Sequence, residues 1–493
     1  MGNYNGAASS RFFADWNLQQ SDANDDFWLD HQALSARAWD LWRNDPYYHA
    51  LIETEVEGVV GPEGLRARSL YQEDDSPDTD KTENKHREQI DASVRRATAR
   101  TRLDAGGAMT YAEMSEAIFR SAKVVGDGYS VRVWKPNRPD AYQGSAWRII
   151  DSARVSNPSY GPNTDRLFEG HQLDADGRTI GIHIQKTHPN ITRSAPSSEW
   201  VYVPIYGPDG QRQVTHRRNG CRPEQIRGLG SAAPVLLYLR MLQTTTEAWA
   251  IAKRIQASYA LMIKTDDPAT ASQGDRHGAL LSGKVPIKPG MRYYHNHDSV
   301  EPLNFNFQGN DYEMFRNPII EAVCAAEGVP YEVVLKRLTK SNMAASRAAL
   351  LTYYTFCRRE QNRQIGSTES VWVENSIREE IARDRLIVRS DDWDEITRCR
   401  WLRAPRVWPD PHREAQAAKA WIDMGRSITS VFDEAGFDFE DEILQRARDD
   451  KFMKAQGVTI ATGTTIAGAP LIIAEPPDDP VDEPAPEDQP PPL

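Results

Sequence analysis

Apolar positions recur every three or four residues over 27–57, where Leu34, Ala38, Leu41 and Trp42 share one stripe, and this period predicts helix. Asn44-Asp45-Pro46 interrupts the stripe, ending one helix and starting the next, because aspartate caps and proline suits a first helical turn. GVVGPEG, Gly58 to Gly64, reads as a turn. Its glycines stand at GxxGxxG and not GxGxxG spacing, with no preceding strand, which argues against a dinucleotide loop. Residues 72–86 read as an exposed polar loop leading into a helix around Ile90 to Leu103.

From about Val124 to Val214 the period changes to two. The runs VRVW, WRII, TIGIHIQ and WVYVPIYG are separated by Gly, Pro, Asn and Asp, with a hairpin turn at Asp174 to Gly177, and this predicts a β-rich unit. Ser231-Ala-Ala-Pro234 then opens a helix that runs past Ala260, about 28 residues or roughly 40 Å. A helix that long needs a neighbour: Leu236, Leu239, Leu242, Trp249, Ala252 and Ile255 form its packing face, and Arg240, Glu247, Lys253 and Arg254 its wet one.

Residues 261–308 read as a compact insert with the strand-like pieces LMIK, KVPIK and LNFNF. A second helix follows over Asp311 to Glu327, with Ile319 and Val323 as packing residues, a kink or restart expected at Asn317-Pro318, and Gly328 and Pro330 ending it. A third starts near Asn342 and ends by Gly366; Ala344, Ala345, Ala348 and Ala349 let another backbone come close. Asp410-Pro411 caps HREAQAAKAWIDMG, and Ser430, with Asp433 three residues on, reads as the cap of a short turn ending at Gly436. Past Gly457 the pattern is lost. Residues 475–493 are almost all Pro, Asp and Glu without Lys or Arg, a composition that predicts a solvated tail.

With 493 residues, 39% of them hydrophobic, and 13 Trp, the chain can fill two or three packed units of an α+β fold. Its formal net charge of -12 argues against gripping nucleic acid along the whole surface, so contact with a polyanion is expected to be local or deliberately weak. Cys221, Cys324, Cys357 and Cys399 lack CxxC spacing, which favours free thiols in a reducing cytoplasm over disulfides or a zinc site. No signal-peptide core and no run of 18 apolar residues is present, so neither secretion by that route nor membrane spanning is expected.

The tempting chemistry falls short. Gly278 to Lys284 matches GxxxxGK, but Val285 stands where a hydroxyl should hold Mg²⁺, and Pro286 and Pro289 prevent the helix whose amides would bind phosphate. His295-Asn-His297-Asp298 fits a surface turn as well as a metal, and His183, His188 and His216 lack metal spacing, which favours structural roles. No GxSxG, HExxH or paired-carboxylate spacing stands out, so no catalytic residue, metal or cofactor is expected. What remains is GVPYEVVLKRLTKSNMAASRAALL, Gly328 to Leu351, where Lys336, Arg337, Lys340 and Arg347 surround a junction between helices and point to an anion.

In order along residues 4–455, YNGA at Tyr4, Trp16, Arg37, RNDP at Arg43 to Pro46, GVVGPEG, RPEQIRGLGSAAPVL, EGVPYEVVLKR, SNMAASRAALL, VWPDPHREAQAAKAWIDMGRSITS and EAGFDFEDE resemble the lambda-type portal proteins of tailed bacteriophages. The chain departs from that pattern at Leu338, often aspartate in the family, and at Met343-Ala344-Ala345, often Tyr-Ser-Ser. The resemblance implies a virion component, assembled in the bacterial host cytoplasm as a homo-oligomeric ring of about twelve subunits at one capsid vertex. Double-stranded DNA would be packaged through the ring by the terminase large subunit and later ejected, without sequence-specific readout.

It also implies an architecture: a wing over 1–230, a stem helix over 231–260, a clip over 261–308, a second stem helix over 309–328 and a channel loop over 329–347. A long helix returning to the wing would cover 348–408, a helical crown 409–457 and an acidic tail 458–493. Lys336, Arg337, Lys340 and Arg347 would face the DNA; Leu239, Leu242, Trp249, Ile319 and Val323 would pack the stem; Lys284, Lys288 and Arg292 would meet the motor. The major capsid protein, scaffold and a head-tail connector or adaptor complete the implied partners, with no membrane. The readings against it are a solvated loop paired with nearby carboxylates, a DNA-processing enzyme of the packaging apparatus, and a non-viral ring-forming scaffold.

Overall fold

The structure is a computed structural model that describes residues 21–71, 80–191, 198–220, 222–258, 262–265, 298–301, 309–337, 343–388, 390, 392–404 and 411–455. It divides into two units, Met1–Gly436 and Phe437–Leu493. In the first, helices α1 (Ala23–Asn44) and α2 (Pro46–Val59) share one residue between them: Asp45, whose carboxylate accepts from the amides of Tyr47 and Tyr48 at 3.0 and 2.8 Å. A capped start with proline in the first turn is what the sequence predicted there. Strand β1 (Arg66–Ser69) follows, then α3 (Asp80–Thr98), which begins and ends earlier than the predicted helix around Ile90 to Leu103. Helix α4 (Tyr111–Val125) opens on a capping box of Thr110 and Glu113 and stops at Gly126, at φ 99°.

The β-rich region lies where the two-residue period placed it. Strands β2 (Asp127–Trp134) and β3 (Ser145–Ile150) pair antiparallel, while β4 (Leu167–Phe168), β5 (His171–Leu173), β6 (Thr179–Gln185) and β7 (Trp200–Pro204) form a four-stranded antiparallel sheet in that order. Strand β8 (Val214–Arg218) adds to the other edge of β2. Asp174 makes the turn before β6 by accepting from the amides of Asp176 and Arg178, with Gly177 at φ 78°. Tyr129, Ile150, Ile182, Ile184 and Val214 join both sheets in one core.

Helix α5 (Leu236–Ser258) has 23 residues and starts five residues later than predicted, because 231–235 are turns docked on α4, with the Ser231 amide donating to Lys123 O. Strands β9 (Met262–Thr265) and β10 (Asp298–Glu301) pair antiparallel, so LMIK is largely a strand; KVPIK and LNFNF lie outside the described residues. Helix α6 (Gly309–Glu327) is one helix across Pro318, without the predicted restart. After it come α7 (Tyr331–Val334) and α8 (Met343–Gln364). The predicted stop at Gly366 does not occur: a π turn over Ile365–Glu369 carries the chain into α9 (Ser370–Ala382). Packing overrides the glycine there, since Trp372 is fully buried with Tyr111, Met114 and Trp147.

Helix α10 (Trp393–Ile396) leads to β11 (Cys399–Leu402), which pairs antiparallel with β1 and so joins segments more than 300 residues apart in the chain. Helix α11 (Pro411–Asp423) opens at the predicted proline. Helix α12 (Ile428–Ala435) has Ser427 at its cap position, placing Ser430 inside the helix instead of at its start; Gly436 ends it as predicted, at φ 86°. The second unit contains α13 (Phe439–Ala455).

Candidate functional site

The site is built outward from the core. Val329 and Val334 are buried on either side of Pro330, in the cluster that also holds Leu51, Val56, Val323 and Phe356. They anchor the segment that follows α6. Gly328 turns that segment at φ 77°, a backbone angle that L side chains seldom adopt. Just before it, Glu327 accepts from the Lys123 ammonium at 2.8 Å, and Glu55 lies 3.0 Å from the same nitrogen. Burial pushes the Glu55 carboxyl up to about 8 against the pull of Lys123, and Glu55 and Glu327 together raise the Lys123 ammonium against its own burial. The Phe356 ring lies 5.4 Å from the ammonium. This trio ties α2, α4 and the end of α6 at the base of the basic junction.

Beyond Val334 the side chains turn outward. Leu335 is partly buried, Lys336 and Arg337 are exposed, and the Arg337 amide closes the turn on Glu332 O at 3.0 Å. Lys336 stands at φ 52°, a left-handed angle without glycine, and ends α7 as Gly328 ends α6. Lys336 itself lines a cleft of about 740 Å³, together with Glu332, Val333, Tyr353, Trp401 and Arg426 among others. Tyr353 crosses it to donate to Thr54 O at 2.5 Å. Arg347, exposed near the start of α8, lies 3.8 Å from Glu414 of α11. Lys336 and Arg337 are thus brought together, Arg347 faces a carboxylate, and Lys340 and Leu338 lie outside the described residues, as do Lys284, Lys288 and Arg292, the GxxxxGK segment and His295 and His297.

The two long helices on either side of β9 and β10 pack on each other. Leu239 and Leu242 of α5 and Val323 of α6 are buried in the main core, with Ile319 packed against it. Farther along, Trp249 stacks on Tyr312 with ring centroids 4.8 Å apart, and the hydroxyls of Thr246 and Tyr312 meet at 2.8 Å. All five predicted packing residues therefore face protein, at least in part.

Sequence reasoning missed a buried charge network behind RPEQIRGLG. Burial alone would raise the Asp127 carboxyl, but the Arg227 guanidinium at 2.6 Å and His216 at 2.7 Å hold it well below the usual carboxylate range. The Gly228 amide donates to it as well, at 2.8 Å, and Arg227 reaches on to the carbonyls of Val155 and Glu169. His216 is structural, as expected; His171, unremarked in the sequence, is buried 3.2 Å from the Tyr129 hydroxyl. Cys324, Cys357 and Cys399 are free thiols that burial pushes up to about 12, far from nucleophilic range, and Cys221 lies outside the described residues. Among the described residues no group of three His, Cys, Asp or Glu is placed to hold a metal, and no helix is long and apolar enough to cross a membrane.

A family model described as phage portal protein, lambda family, matches residues 9–361, which include both long helices and the basic junction. The chain belongs to this family. Two portal relatives align over nearly its whole length: the probable portal protein of Halomonas phage phiHAP-1, 22% identical over 94% of this chain and 88% of the relative, and the portal protein of Escherichia phage N15, 21% identical over 90% and 88%. Among solved structures, a chain from the neck of a native gene transfer agent particle, computed with C12 symmetry, is similar in fold: 12% identical, TM-score 0.50, covering 83% of this chain and 93% of that one. Membership makes the chain a portal protein and a component of the phage particle.

Proposed function

We propose that the chain assembles with copies of itself, about twelve, into a ring at one capsid vertex, and that double-stranded DNA passes through that ring when the terminase motor packages it and again when it is ejected. The observation that carries the reading is the exposed pair Lys336 and Arg337 on a segment rooted in the core at the end of α6. The phosphate backbone is the anion those cations would meet. A few cations per subunit, repeated around a ring of net negative chains, touch a moving polyanion without arresting it, because each neutralised phosphate adds salt-dependent affinity. Lys340 completes the belt on this reading. Arg347, already facing Glu414, contributes less.

Helices α5 and α6 serve as the stem and the β9–β10 ribbon as part of the clip that meets the motor, through Lys284, Lys288 and Arg292. The region up to residue 230 is the wing, and α11 onward the crown. Exposed apolar side chains favour subunit contacts: Leu237, Tyr238, Met241 and Ile251 on α5 and Met314 on α6 are about half or more exposed in the single chain. The C12 symmetry of the gene transfer agent neck supports a ring of that order. Capsid protein, scaffold and a connector or adaptor are the expected neighbours, and the chain is a conduit without catalysis of its own. The test is to build capsids with Lys336→Gln, Arg337→Gln and Lys340→Gln together and measure packaged DNA length and genome loss at several salt concentrations. Intact rings with altered packaging or retention support the reading. Unaltered packaging at every salt makes these residues an ordinary solvated loop, and failed assembly makes them subunit contacts.

A further inference from the structure

A second concentration of positive charge lies away from the junction, on the β-rich region. A recess of about 540 Å³ is lined by Arg178 before β6, Arg212 before β8, Arg218 at its end, and Arg222, together with Ile182, Ile205, Ile226 and Tyr206. Arg222 is occupied, lying 2.7 Å from the Asp26 carboxylate. The other three have no carboxylate within 4.0 Å among the described residues. Arg178 lies over the Tyr206 ring at 5.8 Å, Arg218 donates to the Gln225 carbonyl at 2.6 Å, and the Arg212 Nε is buried without a hydrogen-bond partner. Glu224 is the acid on the lining.

Other arginines of this chain are matched in one of two ways: Arg227, Arg217 and Arg120 meet the acids Asp127, Glu360 and Glu53, and Arg138 and Arg154 each donate to two or more backbone carbonyls. Three guanidinium groups gathered into one concavity of a chain with net charge -12 repel one another, and no described carboxylate within 4.0 Å offsets that repulsion. We infer that this recess is a docking site for an acidic segment of a protein partner, whose carboxylates pair with Arg178, Arg212 and Arg218 while its aliphatic parts lie on Ile182, Ile205 and Ile226. Arginine forks suit planar carboxylates, and the mixed apolar lining suits a peptide. A DNA duplex is stiff and carries its phosphates on a convex surface, so it does not enter a recess of this size. The inference stands apart from ring assembly and DNA transit, since a folded subunit suffices for it.

The test uses the full-length chain and fluorescein-labelled hexa-aspartate, followed by fluorescence anisotropy at low and moderate salt. The recess predicts salt-sensitive binding that falls at least about tenfold in the double variant Arg178→Gln/Arg218→Gln. A control double variant, Arg37→Gln/Arg43→Gln, changes two exposed arginines outside the recess and is expected to bind like the unaltered chain. Arg178→Lys/Arg218→Lys restores charge without the fork and should recover part of the loss, which a misfolded protein would not do. Equal binding by the unaltered chain and the Gln variant overturns the inference. So does displacement of the peptide by inorganic phosphate or a duplex oligonucleotide at equal charge concentration, which would assign the recess to phosphates.

Discussion

Gly228 has no room for a side chain. A Cβ there would lie 1.9 Å from the Gly126 carbonyl oxygen, and one on Gly230 would lie 2.3 Å from that of Val124, so the RGLG segment and the end of α4 run together backbone to backbone. Gly228→Ala should therefore cost about 3 kcal/mol or more and lower the melting temperature by roughly 3 °C or more, read by thermal scanning. At the base of the junction, Glu55 gives a pH signature. Its folded-state pKa, about 8, is raised above the unfolded value near ~4.3, so folding takes up a proton between them. Its contribution to stability is fully present below the unfolded value and is lost as pH rises to about 8. Urea midpoints should decline over that range, and Glu55→Gln, which imitates the protonated acid, should flatten the decline. An unchanged slope in the variant would place the titrating group elsewhere. In acid the Asp127 network acts in the opposite sense, since its depressed carboxyl stabilises the fold above about pH 4 and gives that up only as pH falls farther.

Among the elements, the shared cap at Asp45 was legible in the sequence because Asp-Pro is a local signal, and the structure adds that its second oxygen accepts from Gln243 of α5 at 3.1 Å. Asp45→Ala should cost about 2 kcal/mol, since it leaves the Tyr48 amide buried and unpaired, whereas Asp45→Asn should keep most of the stability; urea denaturation of the two variants checks this. The strands, the hairpin at Asp174 and the two long helices were also legible, for period and turn chemistry are properties of neighbouring residues. The late start of α5 and the passage of helix through Gly366 were not. Both are decided by distant partners, α4 beneath Ser231 and the pocket that buries Trp372, and no local pattern records those. The same limit hid Asp127, Arg227 and His171, whose sequence positions give no hint that they meet. Of the junction, the cluster of charge could be read directly; that Arg347 faces Glu414 while Lys336 and Arg337 are exposed, Lys336 at the edge of a cleft, could not.

For the molecule as a whole, the portal family sets the frame, and the single chain leaves apolar surface along α5, α6 and α8, with Leu351 also more than half exposed. Copies of the chain would cover it. Residues 475–493 offer no such surface, so their deletion should leave assembly and melting temperature nearly unchanged, and a large drop in thermal scanning would show them docked. The most direct measurement is electron microscopy of the purified full-length chain at micromolar concentration, with its mass in solution measured on the same sample by light scattering. The account predicts closed rings of identical subunits around a central hole, with a mass near twelve times that of the 55.6 kDa chain. A 55.6 kDa species alone, unchanged by assembly partners and showing no rings, would contradict it.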